Sequence, residues 1–309
     1  MRNAFAQELT RLAKEDRRIV LLSGDIGNRL FDDYKDNCPD RFYNCGVAEA
    51  NMTSMASGMA MCGLRPVTYT ITSFNTLRCL EQIKIDIAYH HLPVIIVGVG
   101  SGLSYAELGA THHSCEDIAY LRALPNMQII APVDPREVRL ALRAALQQDH
   151  PVYLRLGKKG EPAIHDQEPP FRIGKGIVLR EGKDVCLLGT GTIMPVVLDA
   201  ATELEKRGIS SQVVDFHTIK PLDEPLLAQI SAQVRLVVTV EEHNLAGGFG
   251  SAVAEWFCKG PSKRARLLCK GVPDQFFCMA GNQDYAREYF GLTPEGIADD
   301  IEKKMNEFQ

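Results

Sequence analysis

The sequence predicts an α/β protein of two doubly wound domains, the first built on a mostly parallel sheet and the second smaller. Three observations carry that expectation. Apolar runs of strand length alternate with segments of helical period along most of the 309 residues. The runs are near-continuous in Ile, Val and Leu, as strands covered on both faces require. The alternation breaks once, over residues 157–176, where "GKKGEPAIHDQEPPFRIGKG" holds three prolines and four glycines with no period.

In chain order, "MRNAFAQELTRLAKEDRR" reads as an amphipathic helix of mixed charge, not a signal peptide. "RIVLLSG" (18–24) predicts a strand before a helix near 30–37, "RFYNCG" a strand before a helix over 48–63, and "RPVTYT" a strand before a helix over 74–90. "LPVIIVGV" (92–99), "MQIIAPV" (127–133) and "PVYLRL" (151–156) continue the series, with helices at 115–124 and 135–148 between them. The first domain is expected over 1–157, a linker over 158–176 and the second domain over 177–309. In the second, "DVCLLGTG", "SSQVVDF", "RLVVTVEE" and "ARLLCKGV" alternate with helices over 193–207, 223–230 and 248–258.

Composition excludes several classes. A hydrophobic content of 45% and a charged content of 24% are ordinary for a globular protein. The net charge of −5 leaves no basic footprint for nucleic acid, and no apolar run reaches the length of a membrane span. Nine cysteines without a C-x-x-C pair, several of them in expected core elements, read as reduced thiols of a cytoplasmic protein. Three glycine loops imitate cofactor fingerprints. "LLGTGTIMP" has Met194 where a dinucleotide loop needs its third glycine, and the glycines of "VGVGSG" merely alternate. "SGDIGN", with Asn51 some 25 residues on, resembles half of a metal–diphosphate motif, but Ile26 blocks the backbone approach a phosphate needs.

The candidate chemistry begins in "YNCGVAEANMTSMASGMAMCGLRPV" (43–67), a small-residue apolar stretch with Glu49 in its middle. Helical spacing brings Met52, Ala56, Met59 and Ala60 near that acid, so its charge is costly unless something pairs with it. His90 and His91 close an expected helix before Pro93, where histidine suits the last carbonyls. His112 and His113 instead stand in a loop of about 15 residues that follows a buried strand, where ligands bind such sheets. Phe74 opens a helix at the same edge. An acid, an aromatic platform and a histidine at one sheet edge make a candidate site; no metal ligand set is expected in it.

At these residues the sequence closely resembles the C-terminal half of transketolase, a pyrimidine-binding domain followed by the transketolase C-terminal domain. "GVAEANMTSMASGMAMCG", "SFNTLRCLEQI", "GATHHSCEDIAYLRALPNM", "VVDFHTIKPLDE" and "EEHNLAGGFGSAVAE" carry the likeness, which runs through nearly the whole chain. The resemblance implies that Glu49 hydrogen-bonds N1′ of the aminopyrimidine of thiamine diphosphate, and so promotes loss of the thiazolium C2 proton. It implies that Phe74 stacks on that ring and that Asp25 and Arg78 lie with the cofactor. His112 would bind substrate oxygen and assist proton transfer, while Lys158 and Arg2 would meet substrate phosphate. A lysine holds phosphate only as a point charge, without the fork of a guanidinium. The implied reaction moves a two-carbon ketol unit from a ketose to an aldose.

The likeness has gaps. Leu108 stands where the family places an aspartate that contacts ketose hydroxyls, Gly100 where it places a phosphate-binding histidine, and Ile71 and Leu77 where it often has aromatics. These departures point to an unusual sugar. The family's Mg²⁺- and diphosphate-binding motif is not found in the sequence. The expectation is a split enzyme, in which this β-like subunit pairs with a separate diphosphate-binding subunit as α₂β₂, with Mg²⁺ ligands on that other subunit. Rival readings are a 2-oxoacid dehydrogenase E1 β subunit, a deoxyxylulose-phosphate-synthase-like enzyme and a non-catalytic subunit that kept the fold.

Overall fold

The structure, a computed structural model, describes residues 1–27, 29–259 and 265–307. Among these, twelve strands form a seven-stranded and a five-stranded sheet. The first half contributes β1 (Ile19–Ser23), β2 (Phe42–Asn44), β3 (Arg65–Ile71), β4 (Ile95–Val99), β5 (Gln128–Ile130) and β6 (Val152–Leu156). The second contributes β7 (Ile177–Arg180), β8 (Val185–Gly189), β9 (Ser211–Asp215), β10 (Thr218–Lys220), β11 (Leu236–Asn244) and β12 (Arg266–Val272). The helices are α1 (Arg2–Glu15), α2 (Asp32–Asn37), α3 (Glu49–Met61), α4 (Thr72–Asn75), α5 (Leu80–Gln82), α6 (Asp117–Arg122) and α7 (Pro135–Leu146). They continue with α8 (Met194–Lys206), α9 (Glu224–Gln233), α10 (Phe249–Cys258), α11 (Gln283–Tyr289) and α12 (Pro294–Asn306).

The first sheet has the order β10-β5-β6-β4-β3-β1-β2 and the second β12-β11-β8-β9-β7. All pairs are parallel except β10–β5 and β7–β9. Parallel strands need helices on both faces, and the cores show that layering. One face of the first sheet packs Val20, Leu22 and Ile96 with Met52 of α3 and Ile118 of α6. The same apolar cluster continues through Leu188, Val214 and Phe249 of the second half. The opposite face buries Phe5 and Leu9 of α1 and Leu142 of α7 against Leu21, Val97 and Leu154.

Two departures from the sequence reading have physical causes. The helix expected over 74–90 is broken into α4, a 3-10 turn over Leu77–Cys79, α5 and a π-helical stretch over Ile83–Ala88. Asn75 and Thr76 end the first piece with their side chains. Asn75 Nδ2 donates to Thr68 Oγ1 at 3.1 Å and Val97 O at 2.9 Å, and Thr76 Oγ1 donates to Thr72 O at 2.6 Å. The second departure is β10, which leaves the second half and pairs antiparallel with β5, Thr218 opposite Ile130. Residues 157–176 form no helix or strand but are packed down, with Phe171 stacked on His217 at 4.0 Å between ring centroids.

Candidate active site

Because β1, β2, β3, β4 and β6 run parallel, their carboxyl ends share one edge. The segments after them carry Asp25, Glu49, Phe74, His112 and Lys158 in turn. α1 precedes β1 in the opposite direction, so Arg2 starts from the same edge. Topology alone therefore gathers the residues singled out above at one end of the first sheet.

Glu49 is the first residue of α3, whose N-cap Ala48 offers no side-chain cap. A carboxylate there lies at the positive end of the helix dipole. The partner that the sequence left open is Arg78. Its Nη1 donates to Glu49 Oε2 at 2.8 Å, with the glutamate side chain 3% exposed and the arginine 44%. The same guanidinium lies 4.1 Å from the centroid of the Phe74 ring. The broken helix makes this possible, since α4 holds Phe74 and the 3-10 turn turns Arg78 back over it. Gly24 closes the floor, where a Cβ would meet Thr70 Oγ1 at 3.1 Å and Glu49 Cγ at 3.3 Å.

His112 continues the row. Its ring stands edge-on to Phe74 at 5.2 Å and to Tyr105 at 6.1 Å between centroids. Its Nδ1 is engaged by Thr111 Oγ1 at 2.9 Å. Burial, with His113 and Arg78 adding to it, holds the imidazole below its ordinary pKa, which favours the neutral ring at pH 7. Lys158 Nζ lies 4.6 Å over the Tyr105 ring and is paired with Glu107, so it is not a free lysine of the linker. Arg2 lies near enough to Tyr69 and Tyr105 to act on both phenols, and it lines a cavity with Gly27 and Arg29. Asp25 is exposed, adopts φ 56° and accepts from Asn44 Nδ2 at 3.0 Å. A cleft of about 480 Å³ is lined by Phe74, Leu77, Arg78, Thr111, Tyr120 and Phe276 among others.

Sequence reasoning missed Tyr105 and Glu107, which join His112 to Lys158. Tyr105 is fixed by a feature only coordinates reveal. Gly100 has φ 75°, and a Cβ on it would lie 1.9 Å from Tyr105 Cε2. The nearest sequence signal was the glycine run of "VGVGSG", which reads equally as a flexible loop.

The arrangement fits a planar, nitrogen-bearing ring. The Arg78 guanidinium is itself planar and carries N–H groups, and it occupies the space between an aromatic face and a buried carboxylate. The model of the transketolase pyrimidine-binding domain matches residues 1–161, and that of the transketolase C-terminal domain matches residues 174–297. The chain belongs to the transketolase family. It is 37% identical over 308 residues to a putative transketolase C-terminal section of Methanocaldococcus jannaschii, covering 99% of this chain and 96% of that one. A 6-deoxy-6-sulfo-D-fructose transketolase subunit of a Clostridium sp. is 37% identical, covering 96% and 92%. An apulose-4-phosphate transketolase subunit of Phocaeicola vulgatus is 33% identical, covering 96% and 94%. Among solved structures, one described as a split gene transketolase, inactive β4 tetramer, superposes with a TM-score of 0.89 at 35% identity, covering 98% of this chain and 97% of that one. The chain thus has the domain content of a transketolase-type subunit.

Proposed function

We propose that this chain is the β-like subunit of a split, thiamine-diphosphate-dependent transketolase that moves a two-carbon ketol unit from a ketose to an aldose. The observation that carries the reading is the slot between Phe74 and Glu49, already filled by the guanidinium of Arg78. Thiamine diphosphate, when bound, supplies the carbon nucleophile to which the two-carbon fragment is attached. Glu49 exchanges Arg78 for a ring nitrogen and holds a proton at Oε2. Phe74 presents its face to the ring, and Arg78 and Asp25 complete the cofactor's surroundings. His112, neutral and tied through Nδ1 to Thr111, keeps Nε2 for a substrate oxygen and its proton. Lys158, over the Tyr105 ring, and Arg2, near the same phenol, present positive charge to the anionic end of a sugar. Leu108, in place of an aspartate that meets ketose hydroxyls, leaves the middle of the sugar less constrained, and Gly100, in place of a phosphate-binding histidine, leaves the anionic end to Lys158 and Arg2. The division into 1–157, a linker over 158–176 and 177–309 belongs to the same reading.

The diphosphate and Mg²⁺ fall to a separate subunit, in an α₂β₂ assembly with sites between chains. Val47, 77% exposed, and Leu77, 58% exposed, flank Glu49 and Arg78 and offer that subunit apolar surface beside the slot. Relatives of matching length are themselves described as subunits, and the split-gene tetramer of β chains as inactive. All nine cysteines are free thiols, and among the described residues no helix is long and apolar enough to cross a membrane. The free thiols suit a reducing, cytoplasmic setting.

The test is to assay the chain alone and assembled with its diphosphate-binding subunit against phosphorylated, sulfonated and nucleotide-linked ketoses. Turnover should require both chains and fall by about 100-fold or more in Glu49→Gln. Turnover by the isolated chain defeats the split-subunit reading, and undiminished turnover in Glu49→Gln defeats the role of Glu49.

A further inference from the structure

A second cluster of chemically capable side chains lies away from this site, at the seam where α7, the 157–176 segment and the β9–β10 connection meet. Between it and β3 stand β6 and β4. Glu137, in the first turn of α7, is fully buried. Its Oε1 lies 2.8 Å from His165 Nε2, and its Oε2 accepts from the Val133 amide at 2.9 Å. Asp134, the N-cap of α7, accepts from the amides of Ile164 and His165, each at 3.0 Å, which fixes His165 over the helix start. Asp215, the last residue of β9, is fully buried; no N–H or hydroxyl donates to either of its carboxylate oxygens, which face the Glu137 carboxyl. One donor atom from each of Glu137, His165 and Asp215 lies within 4.8 Å of the others. His217, two residues on, is buried under Phe171, and its Nε2 also lacks a partner.

The charge at this seam must be balanced. Two buried carboxylates face each other with histidines as their neighbours, and two like charges that close and that buried cannot both stand uncompensated. Either one proton is held between the two acids, or a cation replaces it. The donor chemistry favours a cation. Carboxylate and imidazole together suit borderline divalent ions, and a charge of +2 cancels that of both acids. Zinc bonds of about 2.0–2.2 Å place ligand atoms roughly 3.4 Å apart, so small rotations close this set. The His165 side chain keeps 9% of its surface open, which gives an ion a way in from the segment's outer side.

We propose that Glu137, His165 and Asp215 form a binding site for a divalent ion of the zinc class, with His217 the neighbour placed to complete it. Binding forms two metal–oxygen bonds and one metal–nitrogen bond. It expels to solvent the proton held between the acids, and His165 gives up the proton of its Nε2–Glu137 hydrogen bond, so that it binds as the neutral imidazole protonated on Nδ1. The ion fastens the 157–176 segment to both halves of the chain at once, through α7, the segment itself and β9.

The experiment uses the full-length chain with His91→Gln and His150→Gln, because the exposed set of His91, Asp149 and His150 could also take a metal. The chain is loaded with Zn²⁺, dialysed, and analysed for bound metal by mass spectrometry. About one equivalent should remain, and it should be lost in both Asp215→Asn and His165→Gln. Asp215→Asn mimics a protonated acid in shape, so its fold is expected to persist, and circular dichroism verifies this for both variants. Zn²⁺ should raise the melting midpoint of the parent chain, by an amount that grows with the logarithm of free metal, and leave both variants unmoved. Co²⁺ in place of Zn²⁺ should give the visible spectrum of a tetrahedral site without thiolate charge transfer, which separates the site from the nine cysteines. No stoichiometric metal in the parent overturns the proposal and leaves a shared proton. Equal retention in parent and variants overturns it as well.

Discussion

Replacing Arg78 by Met keeps an unbranched apolar stem and removes the guanidinium with its charge. Two contacts are lost, the 2.8 Å hydrogen bond to Glu49 and the guanidinium 4.1 Å from the Phe74 ring centroid. Breaking a fully buried ion pair costs about 3–5 kcal/mol, whereas exposed pairs give about 0.2–1 kcal/mol. Here the acid is 3% exposed but the base is 44% exposed, so solvent screens one side. An intermediate value of about 1.5 kcal/mol follows for the pair, with roughly 0.5 kcal/mol more for the contact with the ring. The variant should therefore melt lower by about 2–4 °C per kcal/mol, or some 4–8 °C. The decisive measurement is a double-mutant cycle with Glu49→Gln, read by urea denaturation of the cofactor-free chain. Arg78→Met should cost clearly less once Glu49 is already Gln, and the coupling should be about 1 kcal/mol. A coupling below about 0.3 kcal/mol, the range of independent sites, would refute the claim that Arg78 supports the buried acid.

Three further expectations rest on single features. Phe74→Ala should weaken cofactor binding to the assembled enzyme about tenfold, the worth of roughly 1.4 kcal/mol of ring stacking, and unchanged affinity in calorimetric titration would remove Phe74 from the slot. Gly100→Ala places a methyl 1.9 Å from Tyr105 Cε2 at φ 75° and should cost about 2–4 kcal/mol in denaturant unfolding; a neutral result would contradict that contact. His243 is buried, donates from Nδ1 to Asn244 O and accepts the Ala119 amide at Nε2, and burial lowers its pKa to about 4. With the folded value below the unfolded 6.5, its contribution is complete above pH 6.5 and is lost as pH falls towards 4, by about 3 kcal/mol. Urea midpoints recorded from pH 7 to 4 should fall in that window, less steeply in His243→Gln, and equal slopes in the two chains would assign the fall elsewhere.

The α/β class was legible because Ile19–Ser23, Ile95–Val99 and Val152–Leu156 are buried at every position, so their sequences run mostly apolar without alternation, with Ser23 and Arg155 the polar exceptions. The residues Glu49, Phe74 and His112 stood out because an acid, a ring and a histidine at one strand edge break local expectation. What stayed hidden depends on folding back across sequence distance. Arg78 reaches Glu49 only because Asn75 and Thr76 break the helix, and helical periodicity does not register side chains that compete with the backbone. Tyr105 meets His112 and Lys158 through a loop whose path turns on positive φ at Gly100, Gly102 and Gly109. The Glu137, His165 and Asp215 cluster draws on three segments 28 to 78 residues apart, a spacing no local motif records.

The strand β10 carries a consequence for modular engineering. Its three residues, Thr218–Lys220, cap the row of exposed amides and carbonyls that β5 would otherwise present to solvent. A fragment cut after residue 157 would lose that cap and leave Gln128–Ile130 as a sticky rim, open to a neighbouring copy. The first half is thus no self-sufficient cassette. Grafting it onto a foreign second half requires a donor that brings its own returning strand in the same register.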